Sequence, residues 1–244
     1  MKKPKVIVVM PAFNAEKTLE KTYQDLPRDL ISEVIVVDDK SKDKTVEIAR
    51  KLGLKVFVHF QNLGYGGNQK TCYWEALKRK PDVVVMLHPD YQYDSTKTED
   101  LVRPILNGDY DLMFGSRIRT RDEALKGGMP LTKYILNRIF CVIENMVLGV
   151  NFSEHFSGFR AYSRKVLETV PFQRFSNDFV FDQQMMMAAI AHGFRVGEIP
   201  VPVRYFSEAS SIKFLKGSKF LLETALSLLR FLMEKIFLWE RMFF

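Results

Sequence analysis

The chain is poor in cysteine: Cys72 and Cys141 are the only two in 244 residues. That excludes a disulfide scaffold and makes a reducing cytosol the expected compartment. No run of about 18 or more uncharged apolar residues exists, so no segment reads as a spanning helix. The apolar run Val6–Met10 is too short for a signal peptide and fits a buried strand. Motifs are missing as well. There is no G-x-x-x-x-G-K-[ST], which excludes a P-loop enzyme, no G-x-S-x-G and no C-x-x-C. The first strand ends in Pro11 instead of a glycine turn, which disfavours a dinucleotide-binding dehydrogenase. Basic residues form no aromatic-interleaved patch, so no nucleic-acid partner is expected.

What is there is an ordinary globular composition, 47% hydrophobic and 27% charged. Disorder, collagen and low complexity are thereby excluded. The length suits one large α/β domain, or a domain with a small appendage. The net charge of +7 suits an anionic substrate or an anionic membrane face.

Short β-branched runs recur at Val6–Met10, Val34–Val37, Lys55–Val58 and Val83–Leu87. Three of them are almost wholly apolar, as in strands covered on both faces. Helices are predicted between them at Glu16–Asp25, Lys44–Leu52 and Gln69–Arg79, which argues for a parallel sheet with right-handed crossovers. Ligands of such sheets gather at the carboxyl ends of the strands. The segments there are Pro11–Asn14, Asp38-Asp39, Gln61–Gly67 and His88–Gln92.

A fifth strand, Asp111–Phe114, leads into Gly115-Ser116-Arg117. The loop Ile118–Pro130, with Arg119, Arg121, Lys126 and the pair Gly127-Gly128, reads either as a mobile basic lid or as a solvated surface loop. A helix is predicted over Leu131–Leu148, then the segment Phe152–Ser163, a helix over Phe179–His192, and an edge strand over Val196–Tyr205 because of its prolines. Domain boundaries are expected at 1–212 and 213–244. In the second part Lys216, Lys219, Glu223, Ser227, Arg230, Glu234 and Arg241 fall on one narrow stripe at helical spacing, and the rest is mostly apolar. Such an amphipathic helix needs a partner surface: its own domain, a second copy of the chain, or a bilayer interface with Lys and Arg snorkelling.

Three segments carry chemistry. Asp38-Asp39-Lys-Ser41-Lys-Asp43 offers a carboxylate for a ribose or a base N–H, and also reads as an N-cap for the helix at Lys44. Asn62-Leu-Gly64-Tyr-Gly66-Gly67 is a glycine-rich turn opening a helix, where backbone can approach an anion. In His88-Pro-Asp90-Tyr-Gln92 the three ligand types alternate, so in extended chain they share one face. Asp90 and the Gln92 carbonyl are hard oxygen donors for Mg²⁺ or Mn²⁺, and His88 tilts the choice toward Mn²⁺ or another transition metal. Alternatively His88 is a pocket wall and Asp90 the sole protein ligand.

Together these residues resemble a known family. Pro11-Ala12-Phe13-Asn14-Ala15-Glu16, Val37-Asp38-Asp39-x-Ser41-x-Asp43 and the Asp90 motif, in that order, are similar to family-2 glycosyltransferases of the GT-A fold. Gly115-Ser116-Arg117, Ser157-Gly158-Phe159-Arg160 and Glu198-Ile199-Pro200 are similar to its dolichyl-phosphate mannose synthase-like branch. The resemblance covers residues 5–212. It implies a mostly parallel sheet flanked by helices with a Rossmann-like nucleotide-binding half. It implies a donor site of Pro11, Ala12, Phe13, Glu16, Val37, Asp39, Asn62, Gly67, His88, Pro89 and Asp90, and a divalent cation (Mn²⁺ or Mg²⁺) on Asp90 with Gln92 and His88. Arg117 and Arg160 would hold donor or acceptor phosphates, and Asp182 would stand near the acceptor. The chain departs from the family in two places: His88 stands where the metal motif usually begins with Asp, and Glu154-His155-Phe156 replaces the more usual Asp-Pro-Thr.

The implied reaction is inverting transfer of a sugar from a UDP- or GDP-linked donor to a polyprenyl phosphate at the membrane surface, on the cytoplasmic face. The alternatives are a glycan hydroxyl acceptor or a non-catalytic sugar-nucleotide-binding protein. A lipid phosphate is already ionised and needs no base, whereas a hydroxyl does, with Asp182 as the candidate. A nucleotidyltransferase would want a glycine-rich basic loop after the first strand, which Pro11-Ala12-Phe13-Asn14 is not.

Overall fold

The computed structural model describes residues 3–118, 122, 125, 128–204, 214–237 and 243. Arg119, Arg121, Lys126 and Gly127 of the expected lid, Tyr205 of the expected edge strand, Arg241 and the side chain of Lys216 lie outside the described residues.

The strands are β1 (Val6–Ala12), β2 (Glu33–Asp38), β3 (Lys55–Val58), β4 (Val83–Met86), β5 (Leu112–Ser116), β6 (Arg160–Ser163) and β7 (Val196–Pro200). They form one sheet in the order β3-β2-β1-β4-β6-β5-β7. β6 runs antiparallel to β4 and β5, and the other pairs are parallel. The helices are α1 (Leu19–Gln24), α2 (Thr45–Lys51), α3 (Tyr65–Leu77), α4 (Thr98–Leu106), α5 (Leu131–Leu148), α6 (Arg164–Thr169), α7 (Phe181–Ala191) and α8 (Phe214–Phe237). The expected mostly parallel, helix-flanked sheet is observed, and β7 is its edge strand.

Alternation along β1 divides the core. Ile7 and Val9 face α3, α6, α7 and α8 through Cys72, Tyr73, Val166, Met185 and Phe231. Val6, Val8 and Met10 face α1, α2 and α4 through Leu19, Ala49, Leu101 and Val102. Every residue of β1 is buried, which is why this strand reads as an unbroken apolar run; each such Val or Ile stabilises the fold by about 1.5–3 kcal/mol. Pro11 is tolerated inside this central strand for a geometric reason. The Val9 carbonyl accepts from Leu87 of the β4 chain, so Pro11, two residues on, faces the same side. Pairing with β4 has already ended there, at Val9 opposite Met86, and no ladder donor is lost.

Two elements differ from the sequence reading. α3 begins at Tyr65, not Gln69, because Gly66 and Gly67 lie within its first turn. β6 was hidden in the segment Phe152–Ser163: its four residues are flanked by glycine and helix signals, and its antiparallel pairing depends on two distant strands.

α8 splits the expected stripe: Lys219 and Arg230 stay exposed, while Ser227 and Glu234 turn inward. Its polar Thr224, Ser227 and Glu234 are buried. The Ser227 hydroxyl accepts from Gln184 of α7 at 3.2 Å, and Glu234 accepts the Phe243 N–H at 2.8 Å. Leu222, Leu226, Leu229 and Ile236 face outward, 54–66% exposed. α5, which packs against α8, shows a second outward stripe of Leu131, Ile135, Ile139, Val142 and Met146.

Candidate active site

Strand order reverses between β1 and β4, and a doubly wound sheet opens a crevice at such a switch point. The loops after these two strands are tied together by the Thr18 hydroxyl, which donates 2.6 Å to the Pro89 carbonyl. Phe13 stands out from the β1 loop, 53% exposed. Asn14 adopts φ 51°; its side chain accepts from Lys42 N at 2.9 Å and its own N–H donates to Ser41. Glu16 is half-buried and accepts from Lys44 N at 3.1 Å. A depression of about 240 Å³ is lined by Asn14, Glu16, Lys17, Thr18 and Asp43. A second concavity, of about 440 Å³, lies at the opposite, amino end of the sheet around Tyr23, Glu33 and Lys55 and touches none of the site residues.

Several expected donor contacts are taken up by the protein itself. Ala12 and Val37 are fully buried, and their carbonyls accept from Asp39 N and from Asn68, respectively. Asp39 is 3% exposed. Its carboxylate meets His59 Nδ1 at 2.8 Å and accepts the N–H groups of Leu63 at 2.7 Å and Gly64 at 3.0 Å. It thus shapes the glycine-rich turn, aided by Asn62, whose amide donates to the Asp39 carbonyl and accepts from Gly64. The glycines do not open backbone to an anion. The N–H groups of Gly66 and Gly67 both donate to the Asn177 carbonyl, and a Cβ on Gly66 would lie 2.5 Å from the Ser176 carbonyl oxygen. Their role is close packing against residues 176–177, which corrects the expectation for Gly67.

The His88–Gln92 segment is a turn, not extended chain. Tyr91 has φ 58°, and Asp90 Oδ1 accepts from Gln92 N at 3.1 Å. The three side chains therefore do not alternate on one face as expected. Burial pushes the Asp90 carboxyl above its ordinary range. Among the described residues Asp90 makes no ion pair, and no group of three His, Cys, Asp or Glu side chains gathers for a metal. A desolvated carboxylate without a cationic partner fits a divalent ion whose other positions are filled by substrate phosphates and water, as is usual for Mg²⁺. His88 Nε2 is already engaged, 2.9 Å from the Tyr65 hydroxyl, so only its other nitrogen could join such an ion.

Both arginines need correction. Arg160 is fully buried because β6 lies between β4 and β5. Its guanidinium donates to the carbonyls of Ser157, Asp182 and His155 at 2.7, 2.8 and 2.9 Å. It ties the 155–157 segment to the start of α7 and is not available to a phosphate. Arg117 is paired with Glu154, which is fully buried. Burial would raise the Glu154 carboxyl, yet the adjacent Arg117 holds it below the usual range. The pair is neutral, so Arg117 brings no net charge to a phosphate.

Asp182, 6% exposed, lies in the first turn of α7. One oxygen accepts from Gln69 at 3.0 Å and the other from the Tyr65 hydroxyl at 2.6 Å. The side chain is thus engaged within the protein on both oxygens. Sequence reading passed over Tyr65, although an aromatic residue between Gly64 and Gly66 at a strand's carboxyl edge was a usable signal. It also treated Glu154 only as a departure from the family pattern, since its partner is 37 residues away.

This sheet order, with its loops gathered at one switch point, defines a GT-A-type α/β protein. The chain belongs to glycosyl transferase family 2, whose family model matches residues 7–170. It is 32% identical to an uncharacterized protein of Methanocaldococcus jannaschii over 96% of this chain and 94% of that protein. It is 27% identical to the UDP-N-acetylglucosamine–dolichyl-phosphate N-acetylglucosaminyltransferase of Methanococcus voltae, over 88% of this chain and 92% of the relative. A dolichyl-phosphate hexose transferase of Haloferax volcanii is 28% identical over 81% of this chain and 82% of its own length. The fold matches the crystal structure of glucosyl-3-phosphoglycerate synthase from Mycobacterium tuberculosis with Mn²⁺, UDP and glucosyl-3-phosphoglycerate. There the TM-score is 0.71 at 20% identity, covering 93% of this chain and 80% of that one.

Proposed function

We propose that this chain transfers a sugar from a nucleoside-diphosphate donor, UDP-linked by preference, to a polyprenyl phosphate at a membrane surface. The observation that carries the choice of acceptor is the engagement of Asp182. Both its oxygens already accept hydrogen bonds inside the protein and the residue is only 6% exposed, which disfavours it as the base for a sugar hydroxyl. A phosphate oxygen is ionised at neutral pH and needs none. The names of the Methanococcus and Haloferax relatives point to the same acceptor chemistry.

The exposed ring of Phe13 would stack on the donor base, and Glu16, from the same loop, would take the ribose. Asp90 would hold a divalent cation together with the donor diphosphate. When bound, that cation supplies charge neutralisation for the leaving nucleoside diphosphate. The chain's own residues keep the β1 and β4 loops in register through Thr18 and Pro89. No helix among the described residues is long and apolar enough to cross a membrane. The outward apolar stripes of α5 and α8 instead suit contact with a lipid interface.

The test is a transfer assay with UDP-sugars, Mn²⁺ and a short-chain polyprenyl phosphate in liposomes. Product glycolipid and free UDP are expected in equal amounts. Transfer to a glycan hydroxyl with none to the lipid phosphate would overturn the acceptor assignment. Donor binding with no release of UDP would overturn the enzymatic one.

A further inference from the structure

We propose that Tyr65 is a positioning residue that, anchored on Asp182, holds the His88 ring as its Nε2–H tautomer and so keeps Nδ1 as an unprotonated nitrogen donor two residues before Asp90. A phenol has a single hydrogen. Tyr65 gives it to Asp182 Oδ2 at 2.6 Å, and an ionised carboxylate can only accept. The orientation of Asp182 is fixed from its other side: the Tyr73 hydroxyl donates to Gln69 Oε1 at 2.9 Å, which turns the Gln69 amide NH₂ onto Asp182 Oδ1 at 3.0 Å. With its hydrogen spent, the Tyr65 oxygen can only accept in its 2.9 Å contact with His88 Nε2. Nε2 must therefore carry a proton, and a neutral imidazole then has a bare Nδ1.

The surroundings hold this arrangement in place. The Tyr65 and His88 rings lie 5.0 Å apart and 16° from parallel, and Phe179 packs on Tyr65 at 4.7 Å. A Cβ on Gly158 would come within 2.8 Å of His88 Nε2 and 3.0 Å of the Tyr65 oxygen, so glycine is what lets the two groups meet. Burial, and then the Asp182 charge, push the Tyr65 hydroxyl well above its ordinary value, which keeps the phenol a donor. The chain has His88 where the family pattern usually has Asp. Here the His nitrogen is prepared as a neutral ligand by an outer partner, much as second-shell carboxylates prepare metal-bound histidines. What Nδ1 meets, a cation shared with a nucleoside diphosphate, rests on the function proposed above; the tautomer itself does not.

The experiment uses the full chain with ¹⁵N-labelled histidine rings, at pH 8 and without metal or nucleotide. The chain has four histidines, and loss of signal in His88→Gln assigns the relevant one. Long-range ¹H–¹⁵N correlations are expected to show the Nε2–H pattern for His88. Tyr65→Phe should give an average of both tautomers. Asp182→Ala frees the phenol hydrogen to turn onto Nε2 and should drive the ring toward Nδ1–H. With UDP present, Tyr65→Phe should weaken Mn²⁺ binding roughly 10- to 100-fold and Mg²⁺ binding much less, since a bare imidazole nitrogen suits Mn²⁺ better. An Nδ1-protonated ring in the wild type, neutral or imidazolium, overturns the proposal even if neither variant folds. Equal losses for the two metals, or none, overturn the nitrogen-donor role. Failure of wild-type UDP binding with His88 still in the Nε2–H form would count against the transferase reading alone.

Discussion

The Glu154 carboxylate accepts the backbone N–H of Arg117 at 2.7 Å and its Nε at 2.8 Å, so one buried acid holds both ends of one arginine. Asn137 of α5 and the Phe156 carbonyl complete the cluster. The segment that follows β5 is thereby locked onto the segment that precedes β6.

Glu154→Gln should destabilise the fold by about 3–5 kcal/mol, because it strands a charge on Arg117, which is only 9% exposed. Urea denaturation measures this. The double variant Glu154→Gln with Arg117→Met should recover much of the loss. A single variant as stable as wild type would mean that the pair is not buried in solution.

Gly158→Ala tests the junction of His88 and Tyr65. The added methyl must push one of them aside, at a stability cost of about 1–3 kcal/mol. Displacement of about 1 Å can cost roughly 10²-fold in rate, so sugar transfer should fall by about that factor while the protein stays folded. Circular dichroism and kcat/KM together read this. An unchanged rate would place the junction outside the working site.

Glu144 gives a pH signature. It is fully buried and neither side-chain oxygen has a hydrogen-bond partner. Burial raises its carboxyl from 4.5 to about 8, against a smaller opposing pull from Arg160. The folded state thus keeps a proton that the unfolded chain has lost, and this contribution to stability falls as pH rises from the ordinary Glu range toward 8. Glu144→Gln should raise Tm relative to wild type at pH 8 and scarcely at all near pH 4.5. His155 works in the opposite sense. Burial, reinforced by Arg160, lowers its imidazole to about 3, so its contribution is lost as pH falls from 6.5 toward 3. Calorimetric pH profiles should show the stability maximum moving to higher pH in Glu144→Gln; a parallel profile would contradict the burial of an ionisable Glu144.

The outward stripes make a surface prediction. Ile139 is 50% and Met146 77% exposed, and on α8 Leu226 and Ile236 are 56% and 66% exposed. Changing all four to Ser should shift stability only slightly, since exposed substitutions usually stay within about 0.5 kcal/mol each. Flotation with anionic liposomes should be lost. Retained flotation would assign any membrane contact to another surface.

Local chemistry made much of this protein legible in advance. Runs such as Val6–Met10 and Val83–Leu87 are apolar at every position because both faces of a central strand are covered, so strand positions and the parallel architecture could be read directly. The Gly64–Gly67 segment could be located as special but not interpreted: the same glycines suit a bound anion or the close approach of residues 176–177, and only the chain that arrives there decides. The arginines failed for a related reason. Arg117 and Arg160 read as phosphate ligands by type and place in the pattern, yet each is committed to a distant partner, Glu154 for one and the carbonyls of His155, Ser157 and Asp182 for the other.

The direction of α8 shows the limit in another form. Helical spacing placed Ser227 and Glu234 on one stripe, and that stripe exists. Which of its members turn inward depends on what α5 and α7 offer, and Gln184 offers a hydrogen bond that draws Ser227 inward while Lys219 and Arg230 stay exposed. Sequence by itself determined six of the seven strands, the loops at their carboxyl ends and the family, because these follow from side-chain periodicity and short-range motifs. Tertiary structure decided which carboxylates and guanidinium groups remain open to a substrate and which are neutralised at home, because a buried charge must find its partner wherever the fold brings one within reach.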